Sequence, residues 1–220
     1  MKCRKCNSDA VLNGKSKGGV QRYRCKECGV QFQQWYKNKA YLETINEQLI
    51  SLVKESCGIR SISRILGISS TTVLNRILKI SDKIRQPPIL CGRAYEVDEM
   101  MTYIGNKNCR ICIVYALDRK TKSVVAYCVG RRNKMTLNNV VYSLLLSNAK
   151  EIRTDRFPYY SSLIPKEIHH VKQRGINFIE RNNLTIRTHL KRLNRRTLAY
   201  SKSILILSSI LRIYFWHNDF

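Results

Sequence analysis

Two cysteine pairs near the start of the chain limit what its first segment can become. They are Cys3-x-x-Cys6 and Cys25-x-x-Cys28, with eighteen residues between the pairs. So short a segment cannot build a sufficient apolar core of its own. Each CxxC lets two thiolates from one tight turn reach a single tetrahedral ion, and two such pairs at this spacing have the form of a four-cysteine zinc site. Gly29, directly after the second pair, permits the sharp turn. The expectation is a zinc-binding module over residues 1–38, in which structural Zn²⁺ supplies folding energy. Four thiolates leave no open coordination position, which argues against zinc catalysis there. The other five cysteines are scattered, and Cys109-x-x-Cys112 has no partner pair. The odd total of nine and the lack of an apolar signal segment in "MKCRKCNSDA" point to a cytoplasmic protein with reduced thiols.

Residues 39–86 read as helical. "YLETINEQLISLVKES" carries Leu42, Ile45, Leu49, Leu52 and Val53 near helical spacing. In "SISRILGISSTTVLNRILKI", Ile62, Ile65 and Leu66 make one short helix, Gly67 ends it, and Ile68 packs the turn. Ser69 or Ser70 then caps a second helix holding Val73, Leu74, Ile77 and Leu78. This is the helix-turn-helix order, although a plain helical hairpin has the same pattern. In the DNA-binding reading, Ser70, Thr71, Thr72, Asn75 and Arg76 face a major groove. Charge favours that reading. Lys and Arg total 40 against 15 Asp and Glu, a formal charge of +25 spread over 220 residues. Such a balance suits a polyanion, most simply nucleic acid. No apolar run approaches the roughly 20 residues that span a bilayer, so no membrane partner is expected.

Pro87, Pro88 and Gly92 mark residues 87–93 as a linker. Beyond it, over residues 94–220, the pattern becomes α/β. "AYEVDEMMTYI", "RICIVYALD" and "SVVAYCVG" read as strands, with a turn at "DRKTKS". "MTLNNVVYSLLLSN" reads as a helix capped by Thr136, "EIRTD" and "EIHHV" as short strands, and residues 178–196 as a basic helix. An apolar helix, "ILILSSILRIYFW", follows.

Acids are scarce in this part, so each can be weighed. Asp98 sits mid-strand, where a charge is costly unless it is paired or bound to metal. Glu96 shares its strand face and Glu99 takes the other. Asp155 ends a short strand, where a parallel sheet opens its ligand-binding edge. Glu180 begins the basic helix, with Arg187 two turns on and Lys191 one turn further along the same side. Two readings stand side by side. Glu180 is an acid favoured by the helix dipole, or three oxygen ligands from separate elements converge on a pair of Mg²⁺ ions. Asp118 reads as a hairpin-turn residue, and Glu151, Glu167 and Asp219 as surface charges.

The order of these segments closely resembles the transposases of the insertion sequence one family. The resemblance rests on the zinc knuckles, the helix-turn-helix, "EVDEMMTYIGNK", "RTDRFPYY" and above all "IERNNLTIRTHLKRLNRRTLAYSKS". It implies a ribonuclease H-like catalytic domain of the acidic-triad (DDE) kind over residues 94–220. Asp98, Asp155 and Glu180 become the first, second and third acids, holding two Mg²⁺ or Mn²⁺ ions. Asn183 and Arg187 fall on the family's E-x-x-N-x-x-x-R pattern, and Gly105 matches the glycine of "YIGNK". Arg187, with Lys191 beyond it, is expected to contact DNA at the element end. The implied activity is cleavage at terminal inverted repeats, followed by attack of the freed 3′-OH on target DNA. Two ends must be joined together, so a homo-oligomer is expected, working at the nucleoid. A non-catalytic DNA-binding regulator on the same N-terminal modules, or an inactive copy, is the alternative.

Overall fold

The computed structural model of the protein describes residues 1–36, 38–42, 44–171 and 177–217. Asp219 lies outside these described residues. The chain divides into two compact units, Met1–Ile45 and Asn46–Phe220.

The first unit is a three-stranded antiparallel sheet of β1 (Ala10–Lys15), β2 (Gln21–Cys25) and β3 (Gln31–Gln33). Its apolar core is small, made of Cys3, Cys25 and Phe32 with Tyr23 packed against Phe32.

The second unit begins within α1 (Ile45–Lys54) and continues through α2 (Ile59–Leu66) and α3 (Ser70–Lys83). Gly67 ends α2 in the left-handed conformation, at φ 63°, which glycine adopts without strain. Ile68 is buried in the turn. Of the two serines that could cap α3, Ser69 does so: its hydroxyl accepts from the Thr72 N–H at 3.1 Å. Ile62 and Leu66 are buried, but Ile65, expected on the same apolar face, is 60% exposed. Ile62 and Leu66 lie one turn apart, and Ile65 is rotated about 100° from Leu66, toward solvent. The proline-containing stretch lies along the sheet domain: Gln86 donates to the Val125 carbonyl at 2.9 Å, and the Tyr95 hydroxyl to that of Leu90 at 2.7 Å.

The remainder is a mixed α/β domain. Strands β4 (Ala94–Ile104), β5 (Asn106–Asp118), β6 (Val124–Gly130), β7 (Glu151–Thr154) and β8 (His169–Val171) lie in the order β6-β5-β4-β7-β8. The first three pair antiparallel, and β7 and β8 add parallel to β4. Helices α4 (Lys134–Leu146) and α5 (Pro158–Ser161) contribute to the core on one face. Helices α6 (Asn177–His189) and α7 (Ile204–Trp216) contribute to the core on the other. With both faces covered, β5 is buried without a break from Ile111 to Asp118, as a strand between two layers should be. Cys112, Val114 and Ala116 face the α4 side, whereas Ile113, Tyr115 and Leu117 face the α6 and α7 side.

Two helix ends differ from the sequence reading. Asn133, not Thr136, caps α4, and Thr136 lies inside the first turn, giving both its N–H and its hydroxyl to Asn133 Oδ1 at 3.0 Å. Both residue types cap helices well, and the chain starts the helix at the earlier one. The basic helix expected over residues 178–196 stops at His189 and gives way to a 3₁₀ turn at Lys191–Leu193. Arg187 Nη1 reaches forward to the Leu193 carbonyl at 2.6 Å, a tie that holds the chain off the helical path. Lys191 is therefore not a further turn of the Glu180 helix. Among the described residues, no helix is long and apolar enough to cross a membrane.

The cap assignment gives a stability prediction. Ser69→Ala is expected to cost about 1 kcal/mol and Ser70→Ala less than about 0.5 kcal/mol, measured by urea denaturation. Equal losses would show that Ser69 does not carry the cap.

Candidate metal centres

In the first unit the four cysteines predicted as zinc ligands converge. Cys3 and Cys28 Sγ are 3.6 Å apart, Cys6 and Cys25 Sγ 3.4 Å, and all four lie within 4.8 Å of one another. Sulfurs arranged tetrahedrally around zinc stand roughly 3.8 Å apart, so the cage has the size for that ion. Backbone N–H groups point at the sulfurs, from Lys5 to Cys3 at 3.4 Å and from Cys28 to Cys25 at 3.5 Å. Asn7 (φ 61°) and Gly29 (φ 67°) turn the chain just after each pair. Such N–H donors stabilise the thiolates that a soft divalent ion requires.

The second centre lies in the α/β domain, where β7 ends and β4 runs on. Glu96, in the pleat of β4, is fully buried. Its Oε2 accepts from the Ile179 backbone N–H at 2.9 Å, and Arg119 Nε lies 3.0 Å from Oε1 as a charge pair with its N–H misaligned. Arg119 also sits 5.5 Å from the centre of the Phe178 ring. Together these contacts pin the first turn of α6 to the central strand.

Two residues along β4, Asp98 faces the same helix. Its Oδ2 accepts from Asn183 Nδ2 at 2.7 Å and its Oδ1 from the Glu99 N–H at 2.8 Å. The Tyr115 hydroxyl, from the buried β5, stands 2.8 Å from Asn183 Oδ1 and donates to it, which orients the amide. Burial pushes the Asp98 carboxyl above its ordinary value, and the charges of Asp155 and Glu180 add to the rise. Asp155 sits one residue beyond β7, its Oδ1 accepting from the Phe157 N–H at 2.9 Å. Glu99 comes from the opposite pleat. Burial raises its carboxyl too, with Asp155 adding, and Arg132 Nη2 pairs with Oε2 at 3.2 Å. The Arg132 guanidinium lies 3.6 Å from the centre of the Phe157 ring. The buried Tyr160 hydroxyl faces Glu99 without good hydrogen-bond geometry.

Carboxylate oxygens of Asp98, Glu99 and Asp155 lie within 4.8 Å of one another. Three hard oxygen donors at that spacing suit Mg²⁺ or Mn²⁺. Glu180 is not in this tight group. It is exposed on the rim of the same cleft, of about 620 Å³, which Asp98, Glu99, Asn183, Arg187 and Arg195 also line. Glu99 was not singled out from the sequence, because strand alternation places it across the sheet from Asp98. The one available signal was its adjacency to Asp98 in the middle of a strand.

The remaining candidates are dispersed. Asn183 and Arg187 line the acidic cleft. Lys191 is exposed in its 3₁₀ turn, with its backbone N–H donating to Ser56 Oγ. On α3, Thr71 and Asn75 are exposed, while Ser70, Thr72 and Arg76 are half-buried. The Thr72 hydroxyl bonds that of Ser69, and the Arg76 guanidinium donates to the Asn46 side chain.

The fold and the site thus define a class, mixed α/β domains that gather carboxylates on the central strand and just past the end of the strand parallel to it. The chain belongs to the IS1 transposase family, whose family model matches residues 89–220. It is similar to the insertion element IS1 2 protein InsB of Escherichia coli (strain K12), at 38% identity over 53% of this chain and 68% of that protein. With the insertion element IS1 protein InsB of Shigella flexneri it shares 34% identity over 57% of this chain and 94% of that protein. Among solved structures, the HTLV-2 integrase catalytic core domain in complex with magnesium aligns at 16% identity. That match covers 58% of this chain and 86% of the other, with a TM-score of 0.36.

Two predictions follow from the geometry. Purified protein should carry one zinc per chain by elemental analysis. Chelation should raise amide exchange across residues 1–36 while the β4–β6 amides stay protected; unchanged exchange in residues 1–36 would exclude a folding role for the metal. Glu96→Ala leaves the Ile179 N–H and Arg119 unpaired and should destabilise by about 3 kcal/mol. Glu96→Gln keeps an acceptor for Ile179 and should cost clearly less, as read from urea midpoints of zinc-loaded protein.

Proposed function

We propose that the protein is a DNA transposase that cleaves at the ends of its element and joins the freed 3′-OH to target DNA. The observation that carries this reading is the acidic cleft. Asp98 and Asp155, from two separate strands, meet there beside Glu180, Asn183 and Arg187 in a chain of charge +25. Three antiparallel strands followed by two parallel ones, with acids on the central strand and after the fourth, support a ribonuclease H-like catalytic domain over residues 94–220.

In this reading Asp98, Asp155 and Glu180 hold two Mg²⁺ or Mn²⁺ ions, and Glu180 completes the set by turning its side chain inward from the rim. Bound there, the ions would activate the attacking oxygen and stabilise the leaving oxygen of a phosphodiester. The chain does the rest. Asn183 and the Glu99 N–H fix the direction of the Asp98 carboxylate, and Phe157 does the same for Asp155. Pairing with Arg132 offsets the Glu99 charge, so Glu99 does not add a fourth uncompensated acid to Asp98, Asp155 and Glu180. Arg187 and Arg195 line the approach with positive charge, suited to holding a phosphate in place. Cleavage and joining are both in-line phosphoryl transfers, so no covalent protein intermediate is needed.

The zinc-binding module (residues 1–38) and the helix-turn-helix (residues 39–86) recognise the terminal inverted repeats. Ser70, Thr71, Thr72, Asn75 and Arg76 face the groove, and Asn183, Arg187 and Lys191 meet DNA near the cut. Two ends are joined together, so the working form is a homo-oligomer.

The test uses labelled duplex carrying the element ends, with Mg²⁺. Wild type is expected to nick and then join strands. Asp98→Asn, Asp155→Asn and Glu180→Gln should each lose both reactions while still binding DNA. Binding with no metal-dependent nicking would instead support a regulator, and nicking without joining a nuclease.

A further inference from the structure

A second cleft, of about 490 Å³, opens between α2, α3 and residues 199–203, which lead into α7. Three helix starts contribute to its wall: Gly58, Ile59 and Arg60 at the start of α2, Ser70 of α3, and Ser203 and Ile206 at the start of α7. The starts of α3 and α7 are closed by the hydroxyls of Ser69 and Ser203. The start of α2 has only Gly58 at its cap position and no side-chain hydrogen bond. Its first N–H groups are therefore left for another acceptor, and the helix dipole favours an anion.

Arg192, also lining this cleft, supplies an independent observation. It is 7% exposed. Its Nη1 donates to Ser201 Oγ at 3.2 Å, its Nε is buried with no partner, and among the described residues no carboxylate pairs with it. None of the lining residues is acidic. A guanidinium so placed is costly unless an opposite charge arrives. Arg60 and Lys202 add exposed positive charge, while Leu74, Ala199 and Ile206 make much of the remaining wall apolar. The cleft thus offers a buried planar cation, an open helix start and an apolar floor.

We propose that this cleft holds one nucleotide unit of a DNA strand. Its phosphate meets Arg192 and the start of α2, and its sugar lies along Leu74 and Ile206. The proposal rests on the DNA-binding reading above and adds a contact site to it. A planar guanidinium matches phosphate oxygens in pairs. The DNA source is favoured because Ser70, in the cleft wall, begins the helix that displays Thr71 and Asn75. A strand running past those residues brings a backbone phosphate to the opening.

The test uses full-length zinc-loaded protein and a duplex of arbitrary sequence, because a phosphate contact is independent of sequence. Arg192→Met is expected to keep or raise the melting temperature, since it removes an unpaired buried charge. It should weaken duplex binding about tenfold and lower the salt slope by about one ion. Inorganic phosphate, compared with chloride at matched ionic strength, should raise the melting temperature of wild type but not of Arg192→Met. Arg60→Gln, a surface change, should lower the salt slope by a similar amount, and it decides the matter if Arg192→Met does not fold. Unchanged duplex affinity and salt slope in the folded variants would overturn the proposal. A phosphate response without a duplex effect would also overturn it, in favour of a free-anion site. These readouts need no strand cleavage, so a failed nicking assay and a failed binding assay report on different claims.

Discussion

One hydrogen bond organises the second unit, that from the Ile179 N–H to the buried Glu96 carboxylate. The two residues are 83 positions apart, and each makes the other tolerable. A carboxylate in a strand covered on both faces must find donors, and the first turn of a helix has N–H groups that need acceptors. Satisfying both fixes where α6 starts relative to β4. From that point Asn183, one turn beyond Glu180, arrives at Asp98, and Tyr115 rises from β5 to orient it. The cleft follows from a strand whose charges had to be answered by distant parts of the chain.

Local chemistry made much of the fold legible in the sequence. Runs rich in β-branched and aromatic residues, bounded by turn residues, announced β4, β5 and β6, and Gly67 with Ser69 announced the turn between α2 and α3, because strand propensity and cap geometry act within a few residues. The end of α6 was hidden for the opposite reason. Leu190 and Leu193 continue a helical spacing, and Lys and Arg are good helix formers, but where the helix stops, the Lys191 N–H donates to Ser56, 135 positions away, and no local periodicity reveals that contact. At the site, spacing drew attention to Asp98, Asp155 and Glu180 without specifying how near they stand. Glu99 stayed out of view because pleating puts it across the sheet, yet Asp155, one residue past the end of β7, lies close to it.

The two units meet the problem of marginal stability differently. The first has a core of a few side chains and a sulfur cage, so a metal ion held in the cage would add to its order. The second has two apolar layers around a sheet and needs no such help. Within it three of the scarce acids point inward: Glu96 and Asp118 are buried, and the Glu99 side chain is nearly so, while Glu47, Glu55, Asp82, Glu167 and Glu180 stay exposed. The outer surface is therefore more one-sided in charge than the composition suggests, which strengthens long-range attraction for a polyanion.

The neighbouring acids Asp98 and Glu99 stand on opposite pleats of one strand. Asp98 is held through α6 and the Tyr115 side of the sheet, whereas Glu99 is held through Arg132, which lies over Phe157 on the α4 and α5 side. The cleft consequently has two separate foundations. Sequence drift in either layer disturbs a different carboxylate, so the site can be detuned by halves, and a repair in one layer cannot compensate for damage in the other.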